Sequence, residues 1–120
     1  MTKPLILVLE DDPVAGEALS LILRDWGAEI LLCTGAGDLD LVLGDRADAL
    51  TYVITDFHLG SGPDGVTLIS RLKLVAPQVR VLVLSGSTHG RAAEAAAQAG
   101  FDAMQKPARP GDIIAWLVRE

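Results

Sequence analysis

Five side chains suited to phosphoryl chemistry each stand at the end of a short strand-like run. "LILVL" leads into Glu10 and Asp11, "TYVIT" into Asp56, "RVLVL" into Ser85, and Phe101–Gln105 into Lys106. Carboxylates gathered in one cleft raise each other's pKa values unless a cation neutralises them. If the first and third runs are neighbouring strands, Glu10, Asp11 and Asp56 share such a cleft. An oxygen-only, partly hydrated site of that kind suits Mg²⁺, which keeps several waters and takes one or two carboxylates. Asp56 is then the candidate nucleophile, because a carboxylate beside Mg²⁺ and a lysine can attack a phosphoryl group and form an acyl phosphate. Lys106 offers a mobile point charge to a phosphate oxygen, and Ser85 offers a hydroxyl between them. Metal and lysine together spread the charge of the transferring group, which is most of what phosphoryl transfer asks of a protein.

The elements that must position these residues repeat one pattern. Leu5–Leu9 reads as a buried strand, short and continuously apolar. Asp12 is placed to cap a helix whose first residue is Pro13; Val14, Ala18, Leu21, Ile22 and Trp26 recur at helical spacing, and Gly27 is its stop. Glu29–Cys33 is a second strand, followed by a weaker helix over about Ala36–Leu43. Thr51–Thr55 is a third, and the Gly-rich "HLGSGPDG" leads to a helix carrying Val66, Ile69, Leu72 and Val75, with Asp64 as its cap. Arg80–Leu84 is a fourth strand, followed by an Ala-rich helix over Arg91–Ala99. Phe101–Gln105 is a fifth, and Ile113, Ile114, Leu117 and Val118 line a last helix. Apolar strands alternating with helices imply an α/β fold with a parallel sheet covered on both faces. Five such units fit the flavodoxin-like, doubly wound five-stranded order 2-1-3-4-5, whose sites lie at the carboxyl ends of the strands beside the switch point.

Composition narrows the function classes. With 120 residues the chain fits one domain spanning 1–120, and half of it is apolar. A formal charge of −6, with its ten Lys and Arg residues scattered, argues against a nucleic-acid binder. Cys33 is the only cysteine, which excludes an intrachain disulfide and suits a reducing compartment. Leu5–Leu9 is too short for a signal peptide, and no segment reaches the roughly 18 apolar residues of a membrane span. The expected location is cytoplasmic, without membrane contact.

Taken in order along the chain, "VLEDD", "ITDFHL", the "DG" opening the third helix, "LVLSG" and "QKP" resemble the receiver domain of two-component response regulators, over essentially all the residues. The resemblance implies a role for each position. Asp56 matches the phospho-accepting aspartate, Asp11 the direct Mg²⁺ ligand and Glu10 its acidic neighbour; the backbone carbonyl of His58 matches a further metal contact. Lys106 matches the phosphate-binding lysine and Ser85 the switch hydroxyl. The implied partner is a histidine kinase or histidine phosphotransfer protein, and the implied output is a partner-binding surface around the fourth helix, fifth strand and fifth helix. The "KPARP" ending and long acceptor loop are similar to receivers attached to hybrid sensor kinases.

The pattern also departs from the family. Ala103 stands where an aromatic residue usually precedes the lysine, so the ring-rotation switch is not expected, and Ser85 is left to couple to a backbone shift. Gly60 replaces a common proline and the acceptor loop carries one extra residue, so Gly60, Gly62 and Gly65 predict a mobile loop. The rival reading is an interaction module silent to phosphate, supported by Ala103 alone. A flavin or nucleotide binder needs a phosphate-cradling loop after the first strand, where "EDD" stands instead. An aspartate-nucleophile phosphatase wants an acid where His58 sits. His58 and His89 are expected to be exposed loop residues, and Trp26 and Trp116 core anchors. The chain stops one helix after Pro107, so any output domain is expected to be absent or to lie outside it.

Overall fold

A computed structural model describes residues 3–60, 62–86 and 90–119; His89 lies outside them. Each expected strand forms: β1 (Leu5–Leu9), β2 (Glu29–Cys33), β3 (Leu50–Asp56), β4 (Arg80–Ser85) and β5 (Asp102–Gln105). All neighbours run parallel, in the order β2-β1-β3-β4-β5. This is the flavodoxin-like doubly wound sheet, and β1 beside β3 is its switch point. The helices are α1 (Pro13–Trp26), α2 (Leu39–Leu43, after a 3-10 turn), α3 (Gly65–Leu72), α4 (Arg91–Ala99) and α5 (Pro110–Val118).

The continuous apolar runs follow from burial on both faces. Alternate residues of β1 serve opposite layers: Leu5, Leu7 and Leu9 join α2, α3 and α4, while Ile6 and Val8 join α1 and α5. Cys33 is free and buried. Among the described residues no helix is long and apolar enough to cross a membrane.

The inward faces of three helices differ from the expected ones. In α1, Val14 and Leu21 point outward (78% and 59% exposed), and the buried positions are Gly16, Ser20 and Leu23. Small residues lie inward here because the helix runs close to the sheet: a Cβ on Gly16 would stand 2.9 Å from Leu32 Cδ1. Ser20 satisfies its buried hydroxyl by donating to the Gly16 carbonyl at 2.8 Å. Helix α3 ends at Leu72, which leaves Val75 outside it and exposed. In α5, Val118 faces out rather than inward, while Trp116 is the core anchor expected of it.

Candidate functional site

Leu9 pairs with Thr55 in the β1–β3 register, so the residues following each emerge side by side. Glu10, Asp11 and Asp56 each present a carboxylate oxygen, and these atoms all lie within 4.8 Å of one another. Their surroundings differ: Glu10 is buried, Asp56 half-buried and Asp11 exposed. Gly16 contributes to the burial of Glu10, because its missing side chain lets α1 lie over the Glu10 methylenes. Asp12 turns away from the cluster and caps α1, its Oδ1 accepting from the Val14 N–H at 3.0 Å. The three adjacent acids therefore divide as the sequence reading divided them, two to the cleft and one to the helix.

Lys106 enters from the end of β5. Its Nζ lies 3.0 Å from Glu10 Oε1 and 3.0 Å from Asp56 Oδ1. Its own N–H donates to the Ser85 carbonyl at 2.7 Å, tying the end of β5 to the end of β4. The Lys106–Pro107 peptide is cis. Burial by itself would lower the lysine's pKa, but the hydrogen bonds it donates to Glu10 and Asp56, together with their charges, outweigh it and hold the ammonium above its ordinary value. The lysine thus stays charged and already spans two of the three carboxylates. Ser85 is buried at the end of β4, paired in register with Gln105. Ala103 is exposed on β5, so no ring fills that face of the strand. His58 is exposed, its ring set edge-on to Phe57 with centroids 4.9 Å apart. The grouped ligand-type side chains are Glu10, Asp11 and Asp56, without the His58 ring.

The loop after Asp56 is better anchored than its glycines implied. Phe57 and Leu59 are buried. The Phe57 N–H donates to the Leu84 carbonyl at 2.9 Å, and the Gly65 N–H closes the base of the loop onto the Phe57 carbonyl at 2.8 Å. Gly60 and Gly62 do serve as turn residues, with φ of 81° and 101°. Gly65 is there for another reason. A Cβ at this position would collide with the Asp56 carbonyl oxygen and stand 2.6 Å from Thr55 Oγ1. Asp64 caps α3 as expected, Oδ1 accepting from the Thr67 N–H at 2.8 Å. The structure brings Glu10, Asp11, Asp56 and Lys106 together, as the sequence reading expected. That reading gave no packing role to Gly16, Thr55 or Gly65, and "DG" at a helix start was the one visible signal.

The cleft combines an acid cluster able to hold a divalent cation, a half-buried carboxylate and a charged lysine at one rim. Compared with known families, the chain matches the response regulator receiver domain over residues 6–118. It belongs to that family. As a receiver domain it is a component of two-component phosphorelay signalling. It is similar to the transcriptional regulatory protein AruR of Pseudomonas aeruginosa, 31% identical over 86 residues, or 69% of this chain and 34% of that protein. The receiver thus spans about a third of that relative's length. Among solved structures, a CheY-like receiver domain protein from Methanospirillum hungatei superposes with a TM-score of 0.82 at 21% identity, covering 97% of this chain and 91% of that one. A response regulator from Burkholderia pseudomallei, solved with a phosphorylated aspartic acid, a calcium ion and citrate, does so with 0.80 at 27% identity, covering 94% and 65%.

Proposed function

We propose that this receiver takes a phosphoryl group onto Asp56 from the phosphohistidine of a histidine kinase or histidine phosphotransfer protein. The observation that carries the proposal is the Asp56 carboxylate, half-buried between the Glu10–Asp11 pair and the Lys106 ammonium. The donor set is oxygen-only and anionic, which fits Mg²⁺: Glu10, Asp11 and Asp56, with the His58 carbonyl, are the groups to hold it. When bound, Mg²⁺ neutralises the acids and stabilises charge on the phosphoryl oxygens.

The chain's own residues account for the rest. An Asp56 carboxylate oxygen attacks phosphorus, the P–N bond to the donor imidazole breaks, and the leaving nitrogen takes a proton from water. Lys106 exchanges its bond to Asp56 for one to a phosphoryl oxygen, and the Ser85 hydroxyl serves as a further donor there. Because Lys106 and Ser85 are joined through the backbone at 2.7 Å, a shift of either is felt in both β4 and β5. The readout proposed is a changed surface around α4, β5 and α5, recognised by protein contact in the cytoplasm. The formal charge of −6 supports protein rather than nucleic acid as the partner. The Burkholderia neighbour, described as carrying a phosphorylated aspartic acid, supports the acceptor assignment by likeness.

Intact-mass measurement after incubation with Mg²⁺ and acetyl phosphate tests this reading. One labile phosphate is expected, absent from Asp56→Asn and absent in EDTA. No adduct from acetyl phosphate and none from a phosphohistidine donor would leave the phosphate-silent module as the better account.

A further inference from the structure

Thr55 is the residue before Asp56 on β3 and is completely buried, at 0% exposure. Strand side chains alternate between faces, so Thr55 falls on the side of Val53 and Phe57, in the layer covered by α3. A valine would fill the same space and suits a strand as well. A buried hydroxyl is unfavourable there unless it is bonded.

The Thr55 hydroxyl donates to the carbonyl of Asp56 itself, at 2.9 Å. The N-terminus of α3 meets the strand at the same carbonyl, since the missing Cβ of Gly65 is what leaves room for it. The N–H of that same peptide, belonging to Phe57, donates to the Leu84 carbonyl at 2.9 Å, and the following Phe57 carbonyl accepts from the Gly65 N–H at 2.8 Å. The backbone is therefore held from both sides where it leaves Asp56. Thr55 lies on the face away from the cleft, so its effect on the cleft passes through Asp56.

We propose that Thr55 is a positioning residue for the phospho-acceptor. Its hydroxyl and the bare Cα of Gly65 set the peptide plane after Asp56, and with it the aim of the carboxylate toward Lys106 and of the His58 carbonyl toward the metal. The inference rests on Asp56 being the acceptor. Small errors of aim matter, because a misplacement of about 1 Å costs up to ~100-fold in rate.

The test compares Thr55→Val, which keeps the shape and removes the donor, with Thr55→Ser, which keeps the donor. Phosphorylation by acetyl phosphate at saturating Mg²⁺ is followed by intact mass, with Asp56→Asn as blank and urea unfolding in parallel. Thr55→Val is expected to unfold at no lower urea concentration yet to lose roughly ten-fold in maximal rate, with half-saturation by acetyl phosphate unchanged. Thr55→Ser is expected to return to within about two-fold of the original rate. A purely structural role would lower stability and rate together and would not separate Val from Ser in this way. Thr55→Val at the original rate, or Val and Ser equally slow, overturns the proposal. Should Thr55→Val fail to fold, Thr55→Ala against Thr55→Ser is read by the same criteria. An original chain that takes no Asp56-dependent phosphate from acetyl phosphate or a phosphohistidine donor removes the acceptor reading, and this proposal with it.

Discussion

Helices α4 and α5 flank the same edge strand and are each nine residues long, but they are held in opposite ways. Helix α5 buries Ile113, Trp116 and Leu117, whereas α4 buries only Ala92 and Ala96. The last turn of α5 is also pinned by polar contacts. Arg80 donates to the Trp116 carbonyl at 2.9 Å and to the Arg119 carbonyl at 3.0 Å, and its guanidinium lies 4.6 Å from the Trp116 ring centroid. Tyr52 donates to the Leu117 carbonyl at 3.0 Å, and Trp116 Nε1 donates to Asp102 at 2.7 Å. The bonds from Arg80 and Tyr52 satisfy carbonyls that a helix end otherwise leaves open. Among the described residues no α4 side chain makes a hydrogen bond or ion pair, and Gly90 gives its N-terminus no side-chain cap. A signalling domain has to keep most of its frame still while one face changes. The difference makes α5 the more firmly held and α4 the less firmly held member of the α4–β5–α5 face, so α4 is the element expected to shift most there.

The strongest way to break that contrast is Arg80→Ala. Losing two carbonyl bonds and the ring contacts to Trp116 and Tyr52 is expected to lower stability by ~2–3 kcal/mol in urea unfolding. By comparison, Glu94→Ala and Gln98→Ala on α4 should stay within about 0.5 kcal/mol of the parent. Equal effects on the two helices would remove the distinction. Trp116→Phe removes the donor to Asp102 together with part of the buried indole ring. A loss of about 1–2 kcal/mol is expected in the same assay. Hydrogen exchange reads the contrast without mutation: α4 amides should exchange roughly ten-fold or more faster than those of α5.

The smallest effect concerns Lys106, which holds the end of β5 between the two helices. Its folded pKa is raised from the ordinary 10.5, so its stabilising contribution is complete below that pH and fades as pH climbs through the raised value. The stability difference between the parent and Lys106→Met should accordingly be flat from pH 7 to about 10 and shrink only above that. A difference that changes near neutrality would mean that another group, and not the lysine, governs the cleft.

Much of this molecule can be read without coordinates. The apolar runs announce five strands, Asp12–Pro13 and Asp64–Gly65 announce two helix starts, and Glu10, Asp11, Asp56, Ser85 and Lys106 announce the cleft. These are local signals, each decided by a few neighbouring residues and by the rule that parallel strands deliver their functional groups at one end. The inward face of α1 was not legible, because Gly16 and Ser20 carry no apolar signal and are there for the closeness of Leu32 and Glu10. Gly65 looked like a source of loop freedom and is instead the gap into which the Asp56 carbonyl fits. Arg80 looked like the polar start of a strand and proves to be the anchor of a helix 36 residues away. The type of each chemical group and its place at a strand end were decided by the sequence. How closely α1 and α3 approach those ends, and which helix is the more firmly held, were decided by the tertiary structure, because such distances depend on side chains far apart in the chain meeting at van der Waals contact.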